Sequence, residues 1–598
     1  MQPKPETPVR PDQPATLAVF MEWAADRFAA EQALRFKTPG GGWAEVTYDR
    51  LRENVRSVGR GLIGLGVRPD DRVAILAETR PEWTYAHFGT FTAGAVVVPV
   101  YPTAGDEEVT WVLGDSGASV VICENAAQAA KIERLRGELP GVRHVVLMSE
   151  AAPGKDLALL DLPQQTPLDD LLAVAESRTN DDLATIIYTS GTTGLPKGCQ
   201  ITHGNIGAVR DGTHDQIPAG PGDTAYLYLP LAHAMAQLFE FKMLLLGASL
   251  TFYGGRIEDI VGELAEAKPT HLPSVPRLFE KVHSVVLGLA EGQEGGRERF
   301  AEAVRVGAEV AGLRERGEEP TGELLTAWQG ADERLFSLVR AAFGGRLKWA
   351  LTGAAPIAPD TLTFLRACGI AIYEGYGMTE SGGVISVNHP GALRYGSVGR
   401  PIPGCDVRVG EDGEVLARGA NVFPGYQGNP GATAEALDAE GWLHTGDLGH
   451  LDEDGYLFIT GRKKDLIITS GGKNLTPSLV EFAIQQSRYV SRAVMVGDRR
   501  PYPVALITLD EEEVRGWAGR ENVRLEEPLA RDPRVRELVG QAVAAANEQV
   551  SRPARIRAFA LLDEDFSIES GLLTPSLKVR RKAVVERYSG EVDELYET

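Results

Sequence analysis

Cysteine is scarce in this chain. The four present, Cys123, Cys199, Cys368 and Cys405, are far apart and form no CxxC pair, which leaves neither a disulfide framework nor a zinc-ligand spacing. A reducing cytoplasm fits that usage. No HExxH string accompanies the histidines, so a zinc hydrolase is not indicated. Long apolar runs are missing as well: the longest, such as Ala93 to Val100, fall far short of the roughly 20 residues needed to span a bilayer. Positive charge is also deficient, with 61 Lys and Arg against 83 Asp and Glu for a net charge of −22. Without a basic field there is nothing to neutralise a nucleic-acid backbone. The amino terminus, MQPKPETPVRPDQPAT, carries five prolines between Pro3 and Pro14 and no apolar core; it matches no secretory signal or lipidation motif, and residues 1–14 read as a disordered leader.

What is present is enough sequence for several cores. With 598 residues, 43% of them hydrophobic and 24% charged, more than one domain is expected, because single cores stop growing well below this size. From about Ala15 to Ala350, helix-like segments alternate with short runs rich in Val, Ile and Ala, among them RVAILAE, AGAVVVPVYP and ASVVICEN. Buried parallel strands have this character, and their alternation with helices predicts α/β layers. Between about 277 and 346 the composition turns to Ala, Glu and Arg, which predicts a helical insertion. From about 391 to 462 glycine and turn residues dominate, and Asp454-Gly455 between alternating residues predicts a hairpin, so this stretch reads as a β subdomain. Beyond Arg462 a mixed pattern resumes and predicts a smaller α+β domain over 463–598. A GDSG string at Gly114–Gly117 resembles the surroundings of a protease serine, but it lies between a helical run and an apolar strand, the wrong context for that all-β fold.

The strongest local signal is ATIIYTSGTTGLPKG, Ala184 to Gly198. An apolar strand empties into a loop of glycines and hydroxyls that closes on one lysine. Thr189, Ser190, Thr192 and Thr193 offer hydroxyl donors, Gly191 and Gly194 let backbone N–H groups turn inward, and Lys197 adds a positive charge, a composition suited to phosphate. Walker A spacing is absent, since Pro196 precedes the lysine and Gly198 follows it. A plain surface loop leading to a helix near Asn205 is the competing structural reading.

YTSGTTGLPKG resembles the signature of the adenylate-forming superfamily, and further strings follow in that family's order: LPLAH at Leu229–His233, GAAP at Gly353–Pro356, YEGYGMTE at Tyr373–Glu380, GWLHTGD at Gly441–Asp447, GRKKD at Gly461–Asp465 and LTPSLKVR at Leu573–Arg580. Within the superfamily, HLPSVPRLFEKV, the helical stretch after it and GGKNLTPSLVE are most similar to long-chain fatty acyl-CoA synthetases. The resemblance implies ATP, Mg²⁺ and coenzyme A as co-substrates and cofactor, a fatty acid as substrate, and a mobile C-terminal domain. It implies nucleotide contacts from the phosphate loop and from Gly353, Ala354, Glu374, Gly375, Tyr376 and Gly377, with Tyr376 against adenine. Thr379 is implied on a phosphate, Glu380 on Mg²⁺, Asp447 on the ribose hydroxyls and Arg462 on ribose or phosphate. Lys464 falls at the hinge, Lys473 near the coenzyme A tunnel, His233 beside the acyl carboxylate, and Lys578 at the catalytic lysine. An enzyme that stops at acyl-AMP, or passes the chain to a carrier protein, remains the alternative. A homodimer and peripheral contact with a membrane are both compatible with these readings.

Overall fold

Runs of β-branched residues between Arg72 and Cys123 make the parallel centre of the first sheet. Arg72–Leu76 pairs in parallel with Val96–Val100 on one side and Ala118–Cys123 on the other. Every residue of Val96–Val100 is buried, as expected of a strand covered on both faces. The computed structural model describes residues 12–148, 157–189, 195–574 and 578–597, without the side chain of Leu157. Among these, the first sheet has eight strands. Leu183–Thr189 joins Val96–Val100 in parallel through Thr185 and Val97. It then pairs antiparallel with Lys197–Thr202, in a register that sets Thr189 opposite Lys197. The hydroxyl-rich loop therefore links two strands, and the helix His203–Gly212 starts only after the second. That helix opens on a capping box in which Thr202 and Asn205 exchange side-chain and backbone bonds.

A second, nine-stranded sheet has a parallel centre built from Thr224–Leu227, Ser249–Phe252, His271–Ser274, Trp349–Thr352 and Ile372–Tyr376. His271–Ser274 and Trp349–Thr352 are direct neighbours, yet four helices, Pro276–Glu291, Gly296–Glu315, Gly322–Ala331 and Ser337–Ala342, run between them in the chain. An antiparallel four-stranded sheet of Cys405–Val409, Glu414–Gly419, Leu443–Leu451 and Leu457–Arg462 follows. Its last hairpin turns through Gly455 at φ 81°, a conformation that favours glycine. The short strands Ser386–Val387 and Arg400–Pro401 extend the nine-stranded sheet instead. After Arg462 the chain builds a three-stranded sheet, Val490–Val496, Val504–Leu509 and Phe559–Leu561. Helices Pro477–Gln485 and Pro533–Glu548 pack on it around their own core of Val480, Ile484, Ile507, Val535 and Val539.

Residues 12–14 are tied to this body. The carbonyl of Asp12 accepts from Trp23 Nε1 and Arg27 Nη2, and the carbonyl of Pro14 accepts from Arg210.

Candidate active site

The phosphate loop, LPLAH, GAAP and YEGYGMTE leave the carboxyl ends of strands in the two large sheets, where open α/β sheets place their ligand crevices. GWLHTGD and the start of GRKKD lie on the four-stranded sheet. At the phosphate loop, Tyr188 Oη donates to Asp115 Oδ2 at 2.6 Å, and Trp111 Nε1 donates to the Pro196 carbonyl at 2.9 Å, so both shoulders of the loop are pinned. Ser190, Gly191, Thr192, Thr193 and Gly194 lie outside the described residues. Thr189 and Lys197 face each other at the base. The Lys197 ammonium sits 5.2 Å from the centroid of the Tyr426 ring, within cation–π range. Tyr426 Oη in turn donates to Glu380 Oε1 at 2.7 Å. One phenol thus connects the loop lysine to the carboxylate of the second sheet.

Glu380 and its neighbours are held by close backbone packing. Ile372–Tyr376 ends in a single tight turn, Thr379–Ser381, that buries Thr379 and Glu380. A Cβ on Gly377 would lie 2.3 Å from the Gly383 carbonyl oxygen, a contact no side chain can make. Gly353 and Ala354 follow Trp349–Thr352; a Cβ on Gly353 would lie 3.2 Å from the Gly375 carbonyl oxygen, and Ala354 has φ 68°. Glu374 accepts from the Gly396 amide at 3.2 Å, and burial pushes its carboxyl up to about 7. Cys199, fully buried behind Glu380, has its thiol pushed well up by burial and by that carboxylate.

Asp447 is 5% exposed and shares its oxygens between two elements. Tyr376 Oη donates to Oδ2 at 2.7 Å, while Arg462 Nε lies 3.0 Å from Oδ1. Asp447 and Arg462 are register partners across the last hairpin, so the pair is set by the sheet itself. The Asp447 amide donates to Thr445 Oγ1.

The C-terminal domain closes the cleft. The Lys578 amide donates to Thr574 Oγ1, while Leu573 and Val579 form a bridge. The Lys578 ammonium lies within electrostatic reach of Glu380, Asp447, Arg462 and Lys464, and desolvation in the cleft, followed by Arg462, lowers its pKa. His233 caps the helix Ala234–Leu245, accepting the Met235 amide on Nδ1 at 3.3 Å. Burial, then Lys578, lowers its pKa to about 4. At neutral pH the ring is therefore neutral, with Nδ1 as acceptor and Nε2–H as donor. Lys464 joins the cluster, its pKa lowered by desolvation and by Arg462. Lys473 does not: it is exposed on the turn between Ile467–Ile468 and Asn474–Leu475, its amide donating to Thr469 Oγ1, and no contact among the described residues joins it to Glu380 or Asp447.

Among the described residues there is no group of three or more His, Cys, Asp or Glu able to hold a metal. A lone buried carboxylate beside a phosphate loop suits Mg²⁺, which binds through one or two carboxylates together with substrate phosphates. Behind the turn lies a narrow, largely apolar cavity of about 30 Å³, room for no more than a water or two, walled by Phe88, Phe91, Ile206 and Phe241 and reaching Thr379 and Gly382. Sequence reasoning missed Tyr426, which bridges Lys197 and Glu380. The signal available was the aromatic, glycine- and proline-rich string VFPGYQGNP at 422–430.

Comparison with known proteins matches the described geometry to a family. Residues 21–427 fit the AMP-binding enzyme family model, and residues 464–598 fit that of the AMP-binding enzyme C-terminal domain. The long-chain-fatty-acid–CoA ligase FadD15 of Mycobacterium bovis is 38% identical over 93% of each chain. The ligase ACSBG1 of Rattus norvegicus is 32% identical, covering 98% of this chain and 86% of its own. Among solved structures, the anthranilate CoA ligase AuaEII in complex with anthranoyl-AMP superposes with a TM-score of 0.71 at 22% identity, over 96% of this chain and 98% of its own. O-succinylbenzoate CoA synthetase from Bacillus subtilis, in complex with ATP and magnesium, gives 0.65 at 21% identity, over 94% and 98%. The chain belongs to the AMP-binding enzyme family, the adenylate-forming enzymes, and within it to the long-chain-fatty-acid–CoA ligases.

Proposed function

We propose that this protein activates a long-chain fatty acid with ATP and transfers the acyl group to coenzyme A. In the first half, a carboxylate oxygen attacks the α-phosphorus of ATP, the bond to the bridging oxygen breaks, and pyrophosphate leaves. In the second, the coenzyme A sulfur, having lost its proton, attacks the acyl carbon and AMP departs with the carboxylate oxygen. The observation that carries the reading is the meeting of Lys578, from one domain, with Glu380, Asp447 and His233 from the other.

Two anions must approach in the first half, and their repulsion is the main obstacle. Lys578 offsets it by holding a positive charge where negative charge accumulates, an effect worth on the order of 10²- to 10³-fold in rate. His233, neutral and donating through Nε2–H, orients the fatty carboxylate. Asp447 accepts both ribose hydroxyls, assisted by Arg462, while Tyr376 lies against adenine alongside Gly353, Ala354, Glu374, Gly375 and Gly377. Thr379, Thr189, Lys197 and the loop 190–194 hold the phosphates. When bound, Mg²⁺ on Glu380 neutralises phosphate charge. For the second half, Lys464 is the pivot about which the C-terminal domain turns, withdrawing Lys578 and bringing Lys473 toward the pantetheine arm.

No helix of the described residues is long and apolar enough to cross a membrane. The four cysteines are free and buried, which supports a reducing cytoplasm, and a lipid substrate is compatible with peripheral contact with a membrane. The decisive experiment supplies ATP, Mg²⁺ and fatty acids of graded length with coenzyme A, with a carrier protein, or with neither, and follows AMP and the acyl product. Acyl-CoA formation in the first arm alone is expected. Thioester formed only on the carrier, or acyl-AMP as the sole product throughout, would refute the reading.

A further inference from the structure

The phosphate loop and the turn that carries Glu380 leave different sheets, and one side chain touches both. The strand Gly425–Tyr426 pairs antiparallel with Lys197–Thr202, setting Tyr426 opposite Cys199. Lys197, two residues before Cys199, is then the diagonal neighbour of Tyr426, close enough for a long side chain to meet an aromatic ring. It does so: the ammonium lies over the ring, 5.2 Å from its centroid. The phenol oxygen donates to Glu380 Oε1 at 2.7 Å. Backbone bonds tie the segment on both sides, the Phe423 amide donating to the Glu380 carbonyl at 2.9 Å and the Gln427 amide to the Gly198 carbonyl at 2.7 Å. The Tyr426 amide donates to Thr433 Oγ1 at 2.9 Å, and the Phe423 ring packs edge-on with its centroid 4.9 Å away. Tyr426 is thus held as a strut between Lys197 and Glu380.

A lysine and a glutamate set at one phosphate site have an alternative to binding substrate, which is to pair with each other. A charged side chain at position 426 would neutralise one of them and repel the other. A phenol is uncharged at neutral pH and serves each differently. Its face attracts the ammonium through the ring quadrupole, which leaves the full positive charge for phosphate oxygens. Its hydroxyl commits Oε1 of a carboxylate that is only 7% exposed, fixing the orientation of that carboxylate without removing its charge. Hydrogen bonds to charged groups are the strong ones. We propose that Tyr426 is a positioning residue for adenylation: its hydroxyl aims Glu380 at Mg²⁺ and its ring face holds Lys197 ready for the phosphates, without letting the two neutralise each other. The proposal rests on the adenylation half of the reaction and assigns that half a further residue.

The test separates the two contacts in the full chain. Tyr426→Phe keeps the ring and loses the hydroxyl, whereas Tyr426→Leu loses both. Calorimetry measures the affinity for α,β-methylene-ATP, which cannot be cleaved at the reacting bond, in Mg²⁺ and in EDTA with no fatty acid present. The Mg²⁺ dependence of pyrophosphate release with palmitate is measured alongside. Tyr426→Phe is expected to raise the Mg²⁺ concentration for half-maximal release by about tenfold, the order contributed by one hydrogen bond to a charged group. It is expected to weaken the analogue in Mg²⁺ by a similar factor and to leave its affinity in EDTA unchanged. Tyr426→Leu is expected to weaken the analogue a further few-fold, in EDTA as well, about the worth of one cation–π contact. A native Mg²⁺ dependence in Tyr426→Phe overturns the proposal, as does an equal loss of affinity with and without Mg²⁺, which a merely structural tyrosine would give. Equal affinities of the two variants in EDTA overturn the role of the ring. If Tyr426→Leu does not fold, Tyr426→Phe decides alone. Failure of palmitate to release pyrophosphate from the native chain counts against the fatty-acid substrate, and the calorimetry then decides the role of Tyr426 by itself.

Discussion

At the scale of single residues, the site works by placing charges where water cannot freely screen them. Lys578 is the clearest case, since its neighbours include both Glu380 and Arg462; on the proposed mechanism its removal leaves the anion–anion approach unrelieved. Lys578→Ala is expected to slow pyrophosphate release from ATP and palmitate by at least about 10²-fold, while thioester formation from supplied acyl-AMP continues. A quench assay of each half separately measures this, and undiminished pyrophosphate release would remove Lys578 from adenylation. Glu374 has a different consequence. Its folded pKa of about 7 stands above the ordinary 4.5, so the folded protein keeps a proton that the unfolded chain gives up. Stability therefore falls as pH rises from about 4.5 to about 7 and levels off above. Thermal unfolding across that window is expected to show a shallower decline in Glu374→Gln than in the native chain.

Elements transmit these residue effects because the backbone leaves them no slack. The turn after Ile372–Tyr376 packs main chain on main chain at Gly377 and Gly383, and a methyl group there must push the segment carrying Thr379 and Glu380. Gly377→Ala is expected to destabilise the fold by about 1–3 kcal/mol, the usual range for overpacking, and to lower adenylation with it. Denaturant unfolding and pyrophosphate release measure the two losses, and a fully active, undiminished variant would show that the turn yields. The junction Lys463–Asp465 is a single short turn between the last strand of the β sheet and the C-terminal domain. Fixing φ at Lys464 restricts rotation about that point. Lys464→Pro is accordingly expected to spare adenylation and impair thioester formation, whereas equal loss of both halves would count against a pivot at this residue.

For the molecule as a whole, the helical stretch after Pro276 does more than bridge two neighbouring strands. Arg488 of the C-terminal domain reaches Glu291 on that stretch at 2.6 Å, and Lys281 reaches Glu512 at 2.9 Å. These pairs hold the domain where Lys578 faces Glu380. The Lys281 pair is exposed and weak, but Arg488 is largely enclosed. Arg488→Ala is expected to lower the rate of adenylation relative to that of thioester formation by a few-fold, and added salt to act in the same direction; an unchanged ratio would show that the contacts do not bias the arrangement. Much of this molecule is legible in its sequence. The α/β layering follows from continuous Val and Ile runs, since strands buried on both faces need no polar alternation, and the family follows from strings whose glycines and hydroxyls tolerate little exchange around a phosphate. The strand Lys197–Thr202 was not legible, because its six residues alternate too weakly and take their structure from Leu183–Thr189 beside them. Local pattern thus determined most of the elements and their order, and the resemblance of the motifs determined the chemical kind of the site. Which side chains meet was decided only by folding: Tyr426 lies 46 residues from the carboxylate it binds, and Glu240 lies 153 from His87, distances in sequence that no periodicity spans and that only the packing of two sheets and a closing domain can bring within a hydrogen bond.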